Sequence, residues 1–255
     1  MMCLGDIGLL LKKFKPINIQ QLDSVNLLNR KDTKFILPIQ NLEIFFNIFY
    51  ASHHILEIND KRIQKYRNCY YDTPDFQMYN AHHNGRVNRY KIRTRQYMES
   101  DLLFLEIKYK SNKGKTVKKR IKLEDNTIIN NIEAKQFISN NSPFKQDEIV
   151  AVQFNSFQRV ALVDDNMSER LTIDFNLKAW DVNEAKNKIS FPKIAIVELK
   201  TDENSIADTV RKFRDLRMKS MGFSKYAMAN SYLFSSKIKI NNFKRKQRIL
   251  GVSLC

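Results

Sequence analysis

The segment Arg89–Arg95 alternates a cationic side chain with a side chain of another kind. In a β-strand, residues two apart lie on the same face of the sheet. One face of this predicted strand therefore carries Arg89, Lys91, Arg93 and Arg95. Like charges held this close repel one another unless an anion lies between them. The pattern predicts a strand whose charged face meets an anionic ligand.

The next two predicted strands also carry a charged face. In Leu103–Lys110 that face consists of Glu106, Lys108 and Lys110. In Val117–Leu123 it consists of Lys118, Arg120 and Lys122. Charges that face solvent usually mix in sign, whereas the first and third of these faces are uniformly positive. This favours strands that line a cavity.

Composition supports an anionic partner. The chain has 255 residues and a formal net charge of +17, from 44 Lys and Arg against 27 Asp and Glu. Such a surplus is typical of proteins that bind nucleic acid, a phosphate-rich small molecule, polyphosphate or a membrane surface. A generally basic surface is the alternative. The hydrophobic fraction of 43% is sufficient for a folded core.

The cysteines and the apolar segments indicate the compartment. Cys3, Cys69 and Cys255 are too few and too scattered for a disulfide framework, so a reducing, cytoplasmic location is expected. The apolar run Leu9–Leu11 precedes its basic residues, which is the wrong order for a signal peptide. No apolar run approaches the length of a membrane-spanning helix.

The sequence pattern predicts about eight strands and a few amphipathic helices over the whole chain. A sandwich would turn the charged faces to water, whereas a barrel with a polar lumen would enclose them. Asn84-Gly85 and Asn112–Gly114 are expected to be hairpin turns. Lys237–Arg248 is expected to be a loosely ordered basic tail. The predicted division is a lead-in at 1–29, a main domain at 30–236 and the tail at 237–255.

Several motifs occur in the order known from one family. They are Lys91-Ile92-Arg93-Thr94-Arg95, Leu105-Glu106-Ile107-Lys108, Val117-Lys118-Lys119-Arg120, Arg170-Leu171-Thr172-Ile173-Asp174 and Val197-Glu198-Leu199-Lys200. Over roughly residues 30–234 the chain resembles the VTC (vacuolar transporter chaperone) catalytic domain of the triphosphate tunnel superfamily. The resemblance implies an α+β fold, in which helices flank an eight-stranded antiparallel β-barrel with a polar lumen. It also implies synthesis of inorganic polyphosphate from ATP.

The resemblance assigns roles to individual residues. The residues implied for catalysis are Arg93, Arg95, Lys108, Arg159, Arg170 and Glu198. Those expected to bind substrate are Lys34, Lys91, Arg120, Lys200 and Lys225. Glu198, and more weakly Glu106, would hold Mn²⁺ or Mg²⁺. The family often has a lysine where this chain has Gly222, and Lys219 is a candidate substitute.

The carboxylates have alternative roles. Glu198 could instead pair with Lys200 or an arginine, and Glu106 could orient Lys108 or an arginine. Arginine suits phosphate through paired hydrogen bonds, and lysine contributes a point charge.

Three classes of function are open to such a chain: a polyphosphate polymerase acting on ATP and polyphosphate, a triphosphatase of the same fold, and a non-catalytic binding module. Nucleic acid is disfavoured because no exposed aromatic residues alternate with the cations, and only the basic tail suits it. Hydrolases of the superfamily tend to begin with a Glu-x-Glu-x-Lys strand, and this chain has Asp32-Thr33-Lys34 there, which favours the polymerase. The oligomeric state is left open.

Overall fold

The computed structural model describes residues 4–23, 30–124, 131–202, 207–251 and 253–254. The α-helices are α1 (Leu4–Leu11), α2 (Ile19–Asp23), α3 (Leu42–Phe49), α4 (Gln77–His83), α5 (Ile132–Asn141), α6 (Ala207–Asp215), α7 (Lys225–Leu233) and α8 (Lys244–Leu250). Short 3-10 turns occupy Ile39–Asn41, Gln146–Glu148 and Asn241–Phe243. No helix in these ranges is long and apolar enough to cross a membrane.

Eight long strands form most of the sheet. They are β2 (Arg30–Pro38), β4 (Gln64–Asp72), β5 (Arg89–Tyr97), β6 (Leu102–Lys110), β7 (Thr116–Leu123), β8 (Val150–Asp164), β9 (Glu169–Asp181) and β11 (Ile194–Asp202). The short strands are β1 (Lys15–Ile17), β3 (His53–Leu56), β10 (Lys188–Phe191), β12 (Lys219–Ser220) and β13 (Ser253–Leu254). The predicted α+β class, an antiparallel sheet with flanking helices, is confirmed.

The chain divides into two compact units. Unit 1 comprises Met1–Lys65, Phe157–Asn176 and Phe191–Phe223, and unit 2 comprises Tyr66–Ser156, Leu177–Ser190 and Ser224–Cys255. The division falls within β8 and β9, so each of these long strands contributes residues to both units.

In unit 1 the strands are hydrogen-bonded in the order β12-β2-β11-β9-β8. One sheet face is apolar, with Leu37, Val197 and Ile173 buried under the helices. The sequence pattern of α3 explains the packing, since Phe45 and Phe49 repeat at helical spacing and both are fully buried. Burial of each such ring stabilises the fold by about 1.5–3 kcal/mol. The opposite sheet face is left for polar side chains.

In unit 2 the order is β8-β4-β5-β6-β7. Ile92, Leu105 and Ile107 form the apolar face and pack with Ala134 and Ile138 of α5. The alternation noted along β5 and β6 therefore has a simple cause, because one face meets this core and the other cannot. The charged residues lie on the face turned away from α5.

Of the two predicted turns, one is confirmed. Gly114 has a positive φ of 75° between β6 and β7, and Ser111 and Lys115 are hydrogen-bonded across the turn. The hairpin expected at Asn84-Gly85 is wrong, because Asn84 follows the last turn of α4 and Gly85 takes a left-handed φ of 68° at the helix end. Glycine suits both places for the same steric reason.

The expectation of a loosely ordered tail is also wrong. The helix α8 begins within the basic segment, and Phe243 and Leu250 are buried on either side of the charged residues of the helix. These two apolar residues anchor the segment.

Candidate functional site

Strand register in unit 2 places the predicted residues in rows across the sheet. In one row Arg93 of β5 lies between Tyr70 of β4 and Glu106 of β6, and Glu106 also faces Arg120 of β7. Residues directly opposite in an antiparallel pair have neighbouring side chains. The row therefore brings together one carboxylate and two guanidinium groups.

Glu106 is the centre of this row. Its Oε2 accepts from Arg93 Nε at 2.8 Å and Nη2 at 2.6 Å, and Lys118 Nζ lies 2.6 Å from Oε1. Burial opposes ionisation of Glu106, but the charges of Arg93, Arg95 and Lys118 outweigh it and hold its pKa well below the usual range. With its side chain 2% exposed, Glu106 orients an arginine, which is the alternative to metal binding.

The third donor group of Arg93 is held by Tyr70. Nη1 of Arg93 donates to the Tyr70 hydroxyl at 2.9 Å. The Tyr70 ring stacks on Tyr226 with centroids 4.9 Å apart, and the Tyr226 hydroxyl donates to Asp72. Asp72 also accepts the backbone N–H of Met78 and Tyr79 in the first turn of α4. These buried contacts therefore fix the position of the Arg93 guanidinium.

Arg95 is held by an amide side chain and an aromatic ring. Its Nε donates to Asn68 Oδ1 at 2.9 Å, and Asn68 Nδ2 donates to Asn155 Oδ1 at 2.9 Å. The guanidinium also lies 5.2 Å from the centre of the Tyr66 ring. An amide and an aromatic ring fix its position and leave its positive charge in place.

The next row consists of lysines. Lys91, Lys108 and Lys118 lie opposite one another across β5, β6 and β7. Like charges directly opposite one another destabilise a sheet. Lys91 Nζ donates to Ser224 Oγ at 2.8 Å, just before α7 and its first residue Lys225. This row would be relieved by a bound anion.

The far end of the charged face is open to solvent. Lys108 and Arg120 are exposed, and the Arg120 guanidinium lies 4.7 Å from the centre of the Phe104 ring.

In unit 1 the polar face carries a second set of predicted residues. Glu198 of β11 lies between Lys34 of β2 and Thr172 of β9. In the next row, Lys200 faces Arg170. Lys34 Nζ lies 2.9 Å from Glu198 Oε2, so the predicted carboxylate meets the predicted lysine directly.

The environment of Glu198 keeps it ionised. Burial opposes the charge, but Lys34, Lys200 and Arg159 together lower the pKa of Glu198 from 4.5 to about 2. Lys200 Nζ lies 3.9 Å from Oε1. The side chain is 16% exposed, so a ligand can reach it.

Arg159 pairs with Asp174, which is not among the predicted site residues. Its Nε and Nη2 donate to the two oxygens of Asp174, at 2.5 and 2.8 Å. Strand alternation does place Asp174 on the face of Arg170, which was the available signal. Asn68, Tyr70 and Lys118 are also absent from the predicted site residues, because their roles depend on cross-strand partners.

The position of the missing family lysine lies beside β2. Lys219 is exposed on β12 opposite Ile36, and Met221 N donates to the Lys34 carbonyl at 2.8 Å. Gly222 follows and is exposed. Lys219 is therefore on the strand adjacent to that of Lys34.

The structure gathers the predicted residues as two sets. Unit 1 holds Lys34, Arg159, Arg170, Glu198 and Lys200. Unit 2 holds Lys91, Arg93, Arg95, Glu106, Lys108, Arg120 and Lys225.

The donor set for a metal ion is sparse. Among the described residues, no group of three His, Cys, Asp or Glu side chains could hold a cation alone. Mg²⁺ is commonly bound through one or two carboxylates together with substrate phosphates. Glu198, ionised and partly exposed, fits that mode, whereas Glu106 is enclosed by its cationic partners.

One comparison with known proteins identifies the family. The family model described as VTC domain matches residues 29–234. No curated protein matches the chain significantly.

Several solved structures are similar to the chain at low identity. A candidate adenylate cyclase from Vibrio parahaemolyticus is 12% identical, with a TM-score of 0.46, over 78% of this chain and 97% of that one. A candidate adenylyl cyclase from Hippeastrum, described with a dominant triphosphatase activity, is 13% identical, with a TM-score of 0.49, over 82% and 96%. An RNA triphosphatase from S. pombe is 9% identical, with a TM-score of 0.32, over 91% and 88%.

Proposed function

The chain belongs to the VTC domain family, and on that premise we propose that it is a metal-dependent polyphosphate polymerase. It would transfer the γ-phosphoryl group of ATP to the end of an inorganic polyphosphate chain. Both substrates are dense polyanions, which is the chemistry that the polar strand faces suit.

One observation carries the proposal, namely the excess of cations on the polar face of β5, β6 and β7. Four cations come from β5, two from β6 and three from β7, against the single carboxylate of Glu106. That carboxylate is already bound by Arg93 and Lys118. The net positive charge of this face suits the neutralisation of phosphate oxygens, which is the main demand of phosphoryl transfer.

The reaction needs no nucleophile from the protein. A terminal oxygen of the acceptor chain attacks the γ-phosphorus of ATP and forms a new P–O–P bridge. The bond between the γ-phosphorus and the β–γ bridging oxygen breaks, and ADP leaves. The arginines would hold the phosphates in line for this displacement, and the lysines would balance the charge.

The proposed metal-binding carboxylate, Glu198, lies in unit 1. Glu198 would hold Mn²⁺ or Mg²⁺ together with phosphate oxygens, and the cation would supply charge neutralisation at the transferred group. Lys34 and Lys200 keep Glu198 ionised and would themselves bind phosphate once the ligand arrives.

The test is incubation of the purified protein with ATP and Mn²⁺, followed by measurement of ADP, free phosphate and polymer. The proposal predicts ADP release together with a polymer that an exopolyphosphatase degrades. Free phosphate equal to the ADP released, with no polymer, would make the chain a triphosphatase. Absence of ADP under several metals and nucleotides would leave a binding module.

A further inference from the structure

The segment Lys237–Arg248 has six cations in twelve residues and no Asp or Glu. The cations are Lys237, Lys239, Lys244, Arg245, Lys246 and Arg248. No acidic residue follows Asp215 anywhere in the sequence. A basic run of this kind is ordinarily a solvated surface, and two features of the structure distinguish this one.

The first feature is that the backbone of the segment is held in place. The Tyr79 hydroxyl donates to the Lys239 carbonyl at 2.8 Å. Asn242 N donates to His83 Nε2 at 3.2 Å, and Asn242 Nδ2 donates to the His83 carbonyl at 2.9 Å. Gln247 Nε2 donates to the Ser231 carbonyl at 3.0 Å. A ligand would therefore pay little ordering cost for the backbone.

The charged groups themselves remain accessible. Lys244, Arg245 and Arg248 are exposed, and none of the three makes an ion pair with any residue in the described part of the chain. Arg248 follows Lys244 by four residues and Arg245 by three, so the three side chains lie on one side of α8. Three unneutralised charges are thus displayed together.

The second feature is continuity with the cations of the strands. The His82 ring is half-buried and stacks on Phe243, with centroids 6.2 Å apart. Burial and the charges of Lys91, Arg89, Lys246 and Lys110 lower its pKa to about 2. The charge of Lys246 in α8 therefore acts on the same His82 ring as the charges of β5 and β6 do. The basic segment extends the charged surface of unit 2.

We propose that Lys237–Arg248 is a second anion-binding element, which holds a stretch of a polyphosphate chain outside the strand face. The choice of ligand rests on the proposed function. A linear polyanion suits cations spread along a fixed segment better than a single triphosphate does. Nucleic acid is less suited because Phe243, the aromatic residue of the segment, is buried and cannot stack on bases.

The test uses the full chain with Lys244→Gln, Arg245→Gln and Arg248→Gln combined. The matched control changes three exposed lysines elsewhere, Lys12, Lys61 and Lys135, to Gln. Equilibrium binding of preformed long-chain polyphosphate is measured at several salt concentrations. The α8 variant should bind at least about tenfold more weakly, and its salt slope should fall by roughly 2, whereas the control should stay near wild type.

Equal binding by the α8 variant and the control would overturn the proposal. Single-stranded RNA of matched charge, if bound more tightly than polyphosphate through the same residues, would overturn it in favour of nucleic acid. Lys237→Gln combined with Lys239→Gln, which leaves α8 intact, should also weaken binding, and an unchanged affinity would count against the proposal. Because the polymer is supplied preformed, binding at this segment can be detected even if the chain has no polymerase activity. Failure of this proposal is therefore distinguishable from failure of the proposed function.

Discussion

The Tyr70 hydroxyl accepts from Arg93 Nη1 while Glu106 occupies Nε and Nη2. Tyr70→Phe removes that acceptor and keeps the ring that stacks on Tyr226. A hydrogen bond to a charged group contributes about 1.5–3 kcal/mol, so we expect kcat/KM for ATP to fall about tenfold or more. Steady-state kinetics with ATP and Mn²⁺ would measure it.

A double-mutant cycle separates this positioning role from a structural one. In an Arg93→Ala background, Tyr70→Phe should cause no further loss, because the group that it positions is absent. Tyr90→Phe is the control, since Tyr90 lies on the other face of β5 beside Tyr109. Additive losses in the cycle would show that Tyr70 does not act through Arg93.

The pKa of Glu198 gives a prediction for stability. Its folded pKa of about 2 lies below its ordinary 4.5, so the ionised form stabilises the fold at all pH values above 4.5. The contribution, on the order of 3 kcal/mol at 1.36 kcal/mol per pKa unit, should be lost as pH falls from 4.5 to 2. Urea unfolding of wild type and Glu198→Gln across that range would measure it. A decline that is equally steep in the variant would assign the acid sensitivity to other groups.

At the scale of residues, the charged strand faces could be predicted from the sequence, but the ion-pair partners of the charged residues could not. Alternation gives the face of a residue but not the strand that lies opposite. The predicted site residues Arg159 and Glu106 lack their partners Asp174 and Lys118 in the prediction, because those pairings depend on register between strands.

At the scale of elements, prediction from local sequence was correct where hydrophobic residues followed a regular strand or helix period. The strands β5, β6 and β9 alternate because one face meets a core, and the phenylalanines of α3 follow the helical period. The prediction failed at Asn84-Gly85, since the same dipeptide suits a hairpin turn and a helix end. Order in the basic tail depends on contacts of Phe243 with His82 and His83, which no local pattern reveals.

The Ser224 side chain contacts both α7 and β5. Its hydroxyl caps α7 by accepting from Ala227 N at 3.3 Å, and it also accepts from Lys91 Nζ. Ser224→Ala should lower the free energy of unfolding by about 0.5–2 kcal/mol, as for other lost N-caps. Denaturant unfolding measures this, with the exposed Ser236→Ala as control. A loss no greater than in the control would mean that the cap contributes little.

For the whole molecule, the net charge of +17 and the rows of like charge predict stabilisation by polyanions. Triphosphate at about 100 times its Kd should add about 2.7 kcal/mol, because it binds the folded state by mass action. For a chain of this size that corresponds to a rise in Tm of roughly 5–10 °C. Sodium chloride of equal ionic strength is the control. An unchanged Tm in millimolar triphosphate would contradict an anion site.

We propose that the cations bind the phosphates and that metal-dependent turnover requires Glu198. The most direct measurement is therefore Glu198→Gln, assayed for both ATP binding and polymer formation with Mn²⁺. We predict that polymer formation is abolished while the Kd for ATP measured without metal changes little, because the arginines remain. Arg93→Ala should instead weaken binding and turnover together. Retention of polymer synthesis by Glu198→Gln would contradict the account.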